Sequence, residues 1–337
     1  MEDNLLCDRT MTLKDRIGIV IIGRNEGKRL VLCLKSVLQS GVPVVYVDSQ
    51  STDNSVYNAQ QYNIPTLILD KTKPINASRA RNEGFKLLLD KKPNIDYIHF
   101  IDADCELDKD WLEQAVLALD MNQEWAVVCG RLREKFRNNS VYMRLCDMDW
   151  FTSPGEIDKC GGIATIRRSV FESLSGFNED LIAGADPELY FRIRNEGWKI
   201  YCLPCEMGTH DSAMLYFSQW WKRSTKVGFG YANAADWGGW GKQYRSALVW
   251  GASIPFIILC GLLWTNYSLI LLALYPIQVT RILINNKIEE LSVYDKFIYA
   301  YFCVLAKFPQ TQGILKFLIN NKIFNRKQVI IEYKANS

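Results

Sequence analysis

The sequence predicts an α/β chain, with a mostly parallel sheet flanked by helices and an apolar, helical C-terminal region. Three observations predict it. Short β-branched runs alternate with helix-period segments between Ile17 and Asp104, and acidic clusters close those runs. The 35 residues from Ser246 to Thr280 contain no Asp, Glu, Lys or Arg. At 337 residues and 48% hydrophobic content the chain can bury a sizeable core. Its net charge of +3 hides an asymmetry. Residues 1–240 carry 29 Lys and Arg against 33 Asp and Glu, whereas residues 241–337 carry 11 against 4. A mildly acidic N-terminal part with no basic stripe excludes a nucleic-acid binder, so no nucleic-acid partner is expected.

The elements follow in order. Ile17–Ile22 reads as a buried strand stopped by Gly23, and Asn25-Glu-Gly27 opens a helix with Leu30, Leu34, Val37 and Leu38 on one face. Val42–Val47 is a second strand, running into Asp48-Ser-Gln-Ser-Thr-Asp53. A weakly periodic helix, a strand at Thr66–Leu69 and a helix around Ala77–Leu89 come next. Tyr97–Ile101 is a strand that ends at Asp102-Ala-Asp104. Further strands are expected at Val127–Cys129, Gly161–Ile166 and Trp198–Leu203. A short helix is expected at Phe171–Leu174. Pro187–Asn195 reads as a helix, with Pro in its first turn and Gly197 past its end. Residues 214–235 form an aromatic-rich amphipathic helix.

Composition divides the chain into an N-terminal tail (1–15), an α/β domain (16–240) and a membrane-associated helical region (241–337). As one helix the charge-free run would extend about 52 Å, far beyond a hydrocarbon core of about 30 Å. Thr265-Asn266 instead splits it into an apolar hairpin, about 247–264 and 267–284, flanked by Lys242 and Arg245 at one end and Arg281 and Lys287 at the other. Positive flanks place both ends on the cytoplasmic side of a membrane. A re-entrant hairpin and a buried core hairpin are the alternatives. From 293 to 324, lysines mixed with aromatics, and apolar runs broken by Pro309 and Gly313, suit interfacial helices. The acidic start, Met-Glu-Asp-Asn, carries no secretory pattern. Ten scattered cysteines fit reduced thiols, with Cys202 and Cys205 as core thiols rather than a metal pair.

In parallel sheets ligands sit at the carboxyl ends of strands. Three polar clusters fall there: Arg24, Asn25 and Glu26; Asp48 and Asp53; and Asp102 with Asp104. Two carboxylates at i and i+2 off a strand can share a hard divalent ion, Mg2+ or Mn2+, that also holds a diphosphate. Asp48 can accept hydrogen bonds from a base or ribose, and Asp53 is also good capping chemistry for the next helix. His210, after a strand, is a candidate metal or phosphate contact, with a structural histidine as the alternative.

Together these clusters resemble the nucleotide-sugar domain of inverting family-2 glycosyltransferases, which has the GT-A fold. Ile19-Val-Ile-Ile-Gly-Arg-Asn-Glu26 is similar to that family's first strand and turn. Val47-Asp-Ser-Gln-Ser-Thr-Asp-Asn-Ser55 looks like its VDDGSTDGS segment, with Ser49 and Gln50 replacing the usual Asp and Gly. Ala80-Arg-Asn-Glu-Gly84, Phe100-Ile-Asp-Ala-Asp104, Gly176-Phe177 and Gly184-Ala-Asp-Pro-Glu-Leu-Tyr-Phe-Arg192 match further motifs, and the likeness spans about 16–225.

The resemblance implies a membrane-associated transferase of envelope or exopolysaccharide synthesis. It would move a sugar, with inversion, from a nucleotide-sugar donor to a lipid-linked or glycan acceptor. Arg24, Asn25, Glu26, Asp48, Asp53, Asp102, Arg223 and one of Arg79 or Arg81 would hold the donor. Asp102, Asp104 and His210 would hold the metal. Asp186 would be the general base, with Glu188, about 200° round the helix, as the other carboxylate. Ala185 stands where the family has a first acid, which leaves the choice of base open between them. Rival readings are a sugar nucleotidyltransferase, which would release pyrophosphate, and a non-catalytic nucleotide-binding membrane scaffold, which would tolerate loss of Asp186 and Asp104.

Overall fold

A computed structural model describes residues 12–234, 240–286, 288 and 290–323. Most of the expected tail, Lys287 of the hairpin flank and residue 324 of the expected interfacial helices lie outside the described residues. Among the described residues nine strands form one sheet: β1 (Ile17–Gly23), β2 (Val44–Asp48), β3 (Thr66–Ile68), β4 (Tyr97–Asp102), β5 (Cys105–Leu107), β6 (Trp125–Glu134), β7 (Gly155–Glu156), β8 (Ala164–Arg167) and β9 (Lys199–His210). Their order is β3-β2-β1-β4-β8-β6-β9-β5, with β7 beside β9.

The first four strands are parallel, as expected. The sheet as a whole is mixed, which corrects the mostly parallel expectation: β8 runs antiparallel to both β4 and β6, and β5 and β7 run antiparallel to β9. A parallel pair needs a crossover that returns the chain to the starting edge. Between β6 and β8 the chain makes one helix, Val141–Asp149, and the short strand β7 beside β9, with no crossover that would bring β8 in parallel to β6. Because β6 and β9 pair in parallel, the ends of β1, β2, β4, β6 and β9 all reach the same edge. That edge collects Asp48, Asp102, Glu134 and His210.

Alternation along β1 explains the two cores. Ile17, Ile19 and Ile21 face a cluster with Leu30, Leu34 and Val37 of helix Gly27–Leu38 and with Trp111 and Leu119 of helix Trp111–Met121. Val20 and Ile22 face the opposite cluster, with Phe85 and Leu88 of helix Ala77–Lys91 and Leu189 and Ile193 of helix Ala185–Asn195. Burial on both sides fixes strand register, because a one-residue slip would exchange the faces.

Beyond the sheet, helix Phe217–Asn233 packs against helix Lys307–Phe317. Glycines make the approach close: a Cβ on Gly228 would lie 1.9 Å from the Gln310 carbonyl oxygen, and one on Gly313 would lie 2.0 Å from that of Thr225. Pro309 and Gly313, which interrupt the apolar runs in sequence, both lie within this helix. Pro309 sits in the first turn, where no N–H is needed, and Gly313 is the contact point. Two further helices, Gly241–Gly261 and Asn266–Asn285, are long and apolar enough to cross a membrane, and they meet at an exposed turn where Trp264 is 90% accessible. The boundary between them falls where Thr265-Asn266 predicted it.

Candidate active site

The turn after β2 is built by its own carboxylates. Asp48 is fully buried and accepts from the Tyr46 hydroxyl (2.8 Å), the Ser51 amide (2.7 Å) and the Ser51 hydroxyl (2.5 Å). Asp53, one residue before Asn54, the N-cap of helix Ser55–Gln61, accepts from the Ser55 amide at 2.9 Å, so it shapes the turn into the helix rather than capping it. The turn after β1 locks onto this one. The Asn25 amide donates to Ser51 Oγ, the Thr52 amide donates to Asn25 Oδ1, and the Glu26 and Gly27 amides share Ser55 Oγ. Asn25 takes φ 55°, in the left-handed region that asparagine tolerates. Glu26 is buried and pairs with Arg29, while Arg24 is exposed at the rim.

The two arginines of helix Ala77–Lys91 separate. Arg79 donates to the carbonyls of Asp70 and Lys73 and pairs with the Asp70 carboxylate at 2.8 Å, so it ties down the loop before its own helix. Arg81 turns to the sheet edge. Its Nη2 meets Asp102 Oδ1 at 2.9 Å and its Nη1 meets Asp186 Oδ1 at 3.1 Å, with the guanidinium over the Phe177 ring. Gly162 leaves room for it, since a Cβ there would lie 2.1 Å from Arg81 Nη2. Burial opposes the Arg81 charge, and Asp186 and Asp102 outweigh it, so its pKa rises. At Asp186 the balance reverses: burial pushes the carboxyl above its ordinary value despite Arg81, with Asp102 adding to the rise.

Asp186 and Glu188 do not share surroundings. Asp186 faces the Arg81 and Asp102 cluster and is 29% exposed, whereas Glu188 is buried in a two-pronged pair with Arg192 at 2.7 and 2.9 Å. Arg192 in turn donates to the carbonyls of Leu174 and Gly176, so Glu188 secures the Gly176-Phe177 turn.

Asp102 and Asp104 likewise part company. Asp102 pairs with Arg81. Asp104, buried, lies with its Oδ2 3.2 Å from His210 Nε2. The other imidazole nitrogen, Nδ1, is 3.0 Å from Glu134 Oε2, and Glu134 Oε1 accepts from the Ser212 amide. Burial works against a charged His210, and Asp104 and Glu134 prevail, raising its pKa to about 9. Asp104, His210 and Cys105 place one ligand atom each within 4.8 Å of one another. A carboxylate oxygen beside an imidazole whose far nitrogen rests on a second carboxylate is a donor set that fits a divalent ion. Asp102 belongs to the neighbouring Arg81 cluster rather than to this group. Arg223 pairs with Asp149 at 2.9 Å and lies over Trp150, whose ring packs 5.0 Å from His210.

A family model described as glycosyl transferase family 2 matches residues 18–175. Residues 18–175 are thus similar to a family 2 glycosyltransferase domain. The chain is 26% identical over 173 residues to the O-antigen chain rhamnosyltransferase WbaN of Salmonella anatum, covering 47% of this chain and 53% of that one. It is 26% identical over 205 residues to the O-antigen chain rhamnosyltransferase RfbN of Salmonella typhimurium, covering 56% of this chain and 64% of that one. The chain thus spans between half and two thirds of these relatives. Among solved structures it is similar to the mannosyltransferase PcManGT of Pyrobaculum calidifontis, in complex with GDP-Man and Mn2+. The TM-score is 0.60 at 16% identity, over 89% of this chain and 87% of that one. The fold is GT-A-like.

Sequence reasoning missed Glu134, the carboxylate that carries His210. It lies in Arg131-Leu-Arg-Glu-Lys135, where alternating charges resemble an exposed edge. Its one signal was position: an acid closing a strand, as Asp48 and Asp102 do.

Proposed function

We propose that the chain transfers a sugar from a nucleotide-sugar to an acceptor hydroxyl with inversion at the anomeric carbon. The observation that carries this reading is the Asp102–Arg81–Asp186 cluster, set beside Asp104 and His210 at one sheet edge. Asp186 accepts the acceptor's proton while the hydroxyl oxygen bonds to the anomeric carbon. The bond from that carbon to the diphosphate breaks, and the nucleoside diphosphate leaves with the electron pair. Arg81 holds Asp186 in place and keeps a positive charge beside the leaving group's path. The buried turns around Asp48 and Asn25 form the floor for the nucleotide, with Arg24 at its rim. Asp104 and His210 would hold a divalent ion, which would supply Lewis-acid stabilisation of the leaving diphosphate.

The relatives' rhamnosyl chemistry makes a rhamnosyl donor the first to test, and a growing envelope polysaccharide on a lipid carrier the first acceptor. The exposed hairpin supports a membrane location. At 1.5 Å per residue the 21-residue helix is about 31 Å long, matching a hydrocarbon core. Arg245 and Arg281, near the two ends of the hairpin, favour a cytoplasmic catalytic domain over residues 16–240, with 241–337 as the membrane region.

The full chain in membranes, given a panel of nucleotide-sugars with and without Mn2+, tests the reading. Nucleoside diphosphate release from one donor, sugar recovered in the lipid fraction, and loss of both in Asp186→Asn are expected. Release of pyrophosphate, or transfer only to water-soluble acceptors by a protein found in the soluble fraction, would overturn it.

A further inference from the structure

The metal-site histidine is the end of a buried chain of polar contacts that begins in the C-terminal helices. Asp295, 4% exposed, lies in the first turn of helix Val293–Leu305, where Ser292 caps it. It pairs with Arg137 Nη2 at 2.9 Å and with Arg144 Nη1 at 2.9 Å. Burial opposes its charge, and hydrogen bonds from Arg137, Arg144 and Ser292 hold its pKa down to about 2. Arg137 also reaches Asp147 Oδ2 through Nε at 2.9 Å. Asp147, 5% exposed, accepts the Glu134 amide on its other oxygen at 3.0 Å. Glu134 in turn holds His210 and Ser212. Every carboxylate in the series is buried, and each has both oxygens engaged, so none can shift without leaving a charge unpaired.

We infer that Arg137 is a positioning residue, through which the helix carrying Asp295 sets the Glu134 backbone and hence the His210 imidazole for metal binding. The inference rests on the proposed ion at Asp104 and His210. Contiguity alone does not establish coupling, but the two arginines on Asp295 supply an internal control. Both take one oxygen of that carboxylate. Arg137 goes on to Asp147, whereas the other arm of Arg144 ends on Asn138. Losing Arg137 leaves Asp147 with only Arg131, at 3.7 Å, as an ion-pair partner among the described contacts. Losing Arg144 leaves the line to His210 intact.

The test measures Mn2+ affinity of the full chain, by free-ion titration without nucleotide, for wild type, Glu134→Gln, Arg137→Met, Arg144→Met and the Glu134→Gln/Arg137→Met double variant. Glu134→Gln should weaken Mn2+ by about 10-fold or more, the usual cost of losing a carboxylate behind a ligating histidine. Arg137→Met should weaken it by about 2- to 30-fold. Arg144→Met should leave it unchanged, although thermal midpoints should show both arginine variants destabilised. The double variant should bind no more weakly than Glu134→Gln, because the two act on one contact. Equal affinities for Arg137→Met and wild type, or equal losses in both arginine variants, would overturn the inference while leaving the metal reading standing. A wild-type chain that binds no Mn2+ would overturn the metal reading first, and this inference with it.

Discussion

The parallel half of the sheet and the mixed half hold their polar residues by different means. At the end of β2, Asp48 and Asp53 bond within three residues of themselves, so the turn they build is closed by local hydrogen bonds. In the mixed half, and where it joins the parallel half, the contacts are distant in sequence: His210 meets Glu134 from 76 residues away, and Arg81 meets Asp186 from 105. A nucleotide floor made of local turns is stiff by itself. A reacting centre made of long-range pairs depends on the whole domain being assembled, and there a single substitution should separate activity from stability most cleanly.

Asp186→Asn is the largest expected effect. A general base of this kind contributes about 10²- to 10⁴-fold, and donor turnover, read as nucleoside diphosphate release, should fall by that factor. Stability should move the other way. A carboxyl whose folded pKa is raised favours the folded state at low pH, and that contribution is lost as pH rises through the folded value. Neutral Asn removes this cost, so the thermal midpoint near pH 7 should hold or rise. The same shift places the acid limb of the wild-type pH–rate profile above the ordinary carboxylate range, since turnover needs the deprotonated form. Asp186→Asn with full turnover would remove the base from this half of the molecule.

Arg81→Met comes next. It leaves Asp102 and Asp186 without the cation between them, and removing one partner of a buried pair costs about 3–5 kcal/mol. Both carboxylates are partly exposed, so the lower end is expected, measured by urea unfolding. Asp48→Ala tests the local half. It strands a buried tyrosine hydroxyl and a Ser51 amide, for about 1–3 kcal/mol. Its loss of turnover should appear mainly as weaker donor binding. If Asp48→Ala instead lowered kcat with donor affinity intact, the division between floor and reacting centre would fail.

The same contrast explains what could be read from the chain. β1 to β4, their helices and the strand-end acids were legible because β-branched runs, turn chemistry and helical period are local signals. The hairpin was legible because a charge-free run is local too. The antiparallel entry of β8 was not, since nothing in Ala164–Arg167 records which neighbours it meets. Nor did Asp102-Ala-Asp104 reveal that its two carboxylates serve different partners, Arg81 and His210. Alternation along a strand end sets where side chains point, and the partner on each side comes from elsewhere in the sequence. Glu134, Asp147 and Asp295 are buried acids whose purpose exists only once residues far apart are folded together.

Glu188 gives the smallest effect and the sharpest division between two neighbouring carboxylates. Spacing alone made it a second candidate base, two residues beyond Asp186. In the fold both its oxygens are taken by Arg192, whose remaining donors hold the Leu174 and Gly176 carbonyls. Glu188→Gln keeps the shape and one hydrogen bond while removing the charge, so a loss of about 1 kcal/mol is expected from the weakened charge-assisted pair. That loss should appear as a lower unfolding midpoint, with turnover at permissive temperature within about twofold of wild type, since surrounding contacts can absorb a change of this size. A collapse of turnover without loss of stability would move the proton-accepting role from Asp186 to Glu188. It would also require Arg192 to release the carboxylate during the reaction, which pre-steady-state kinetics of an Arg192→Lys variant would then show as a slowed first turnover.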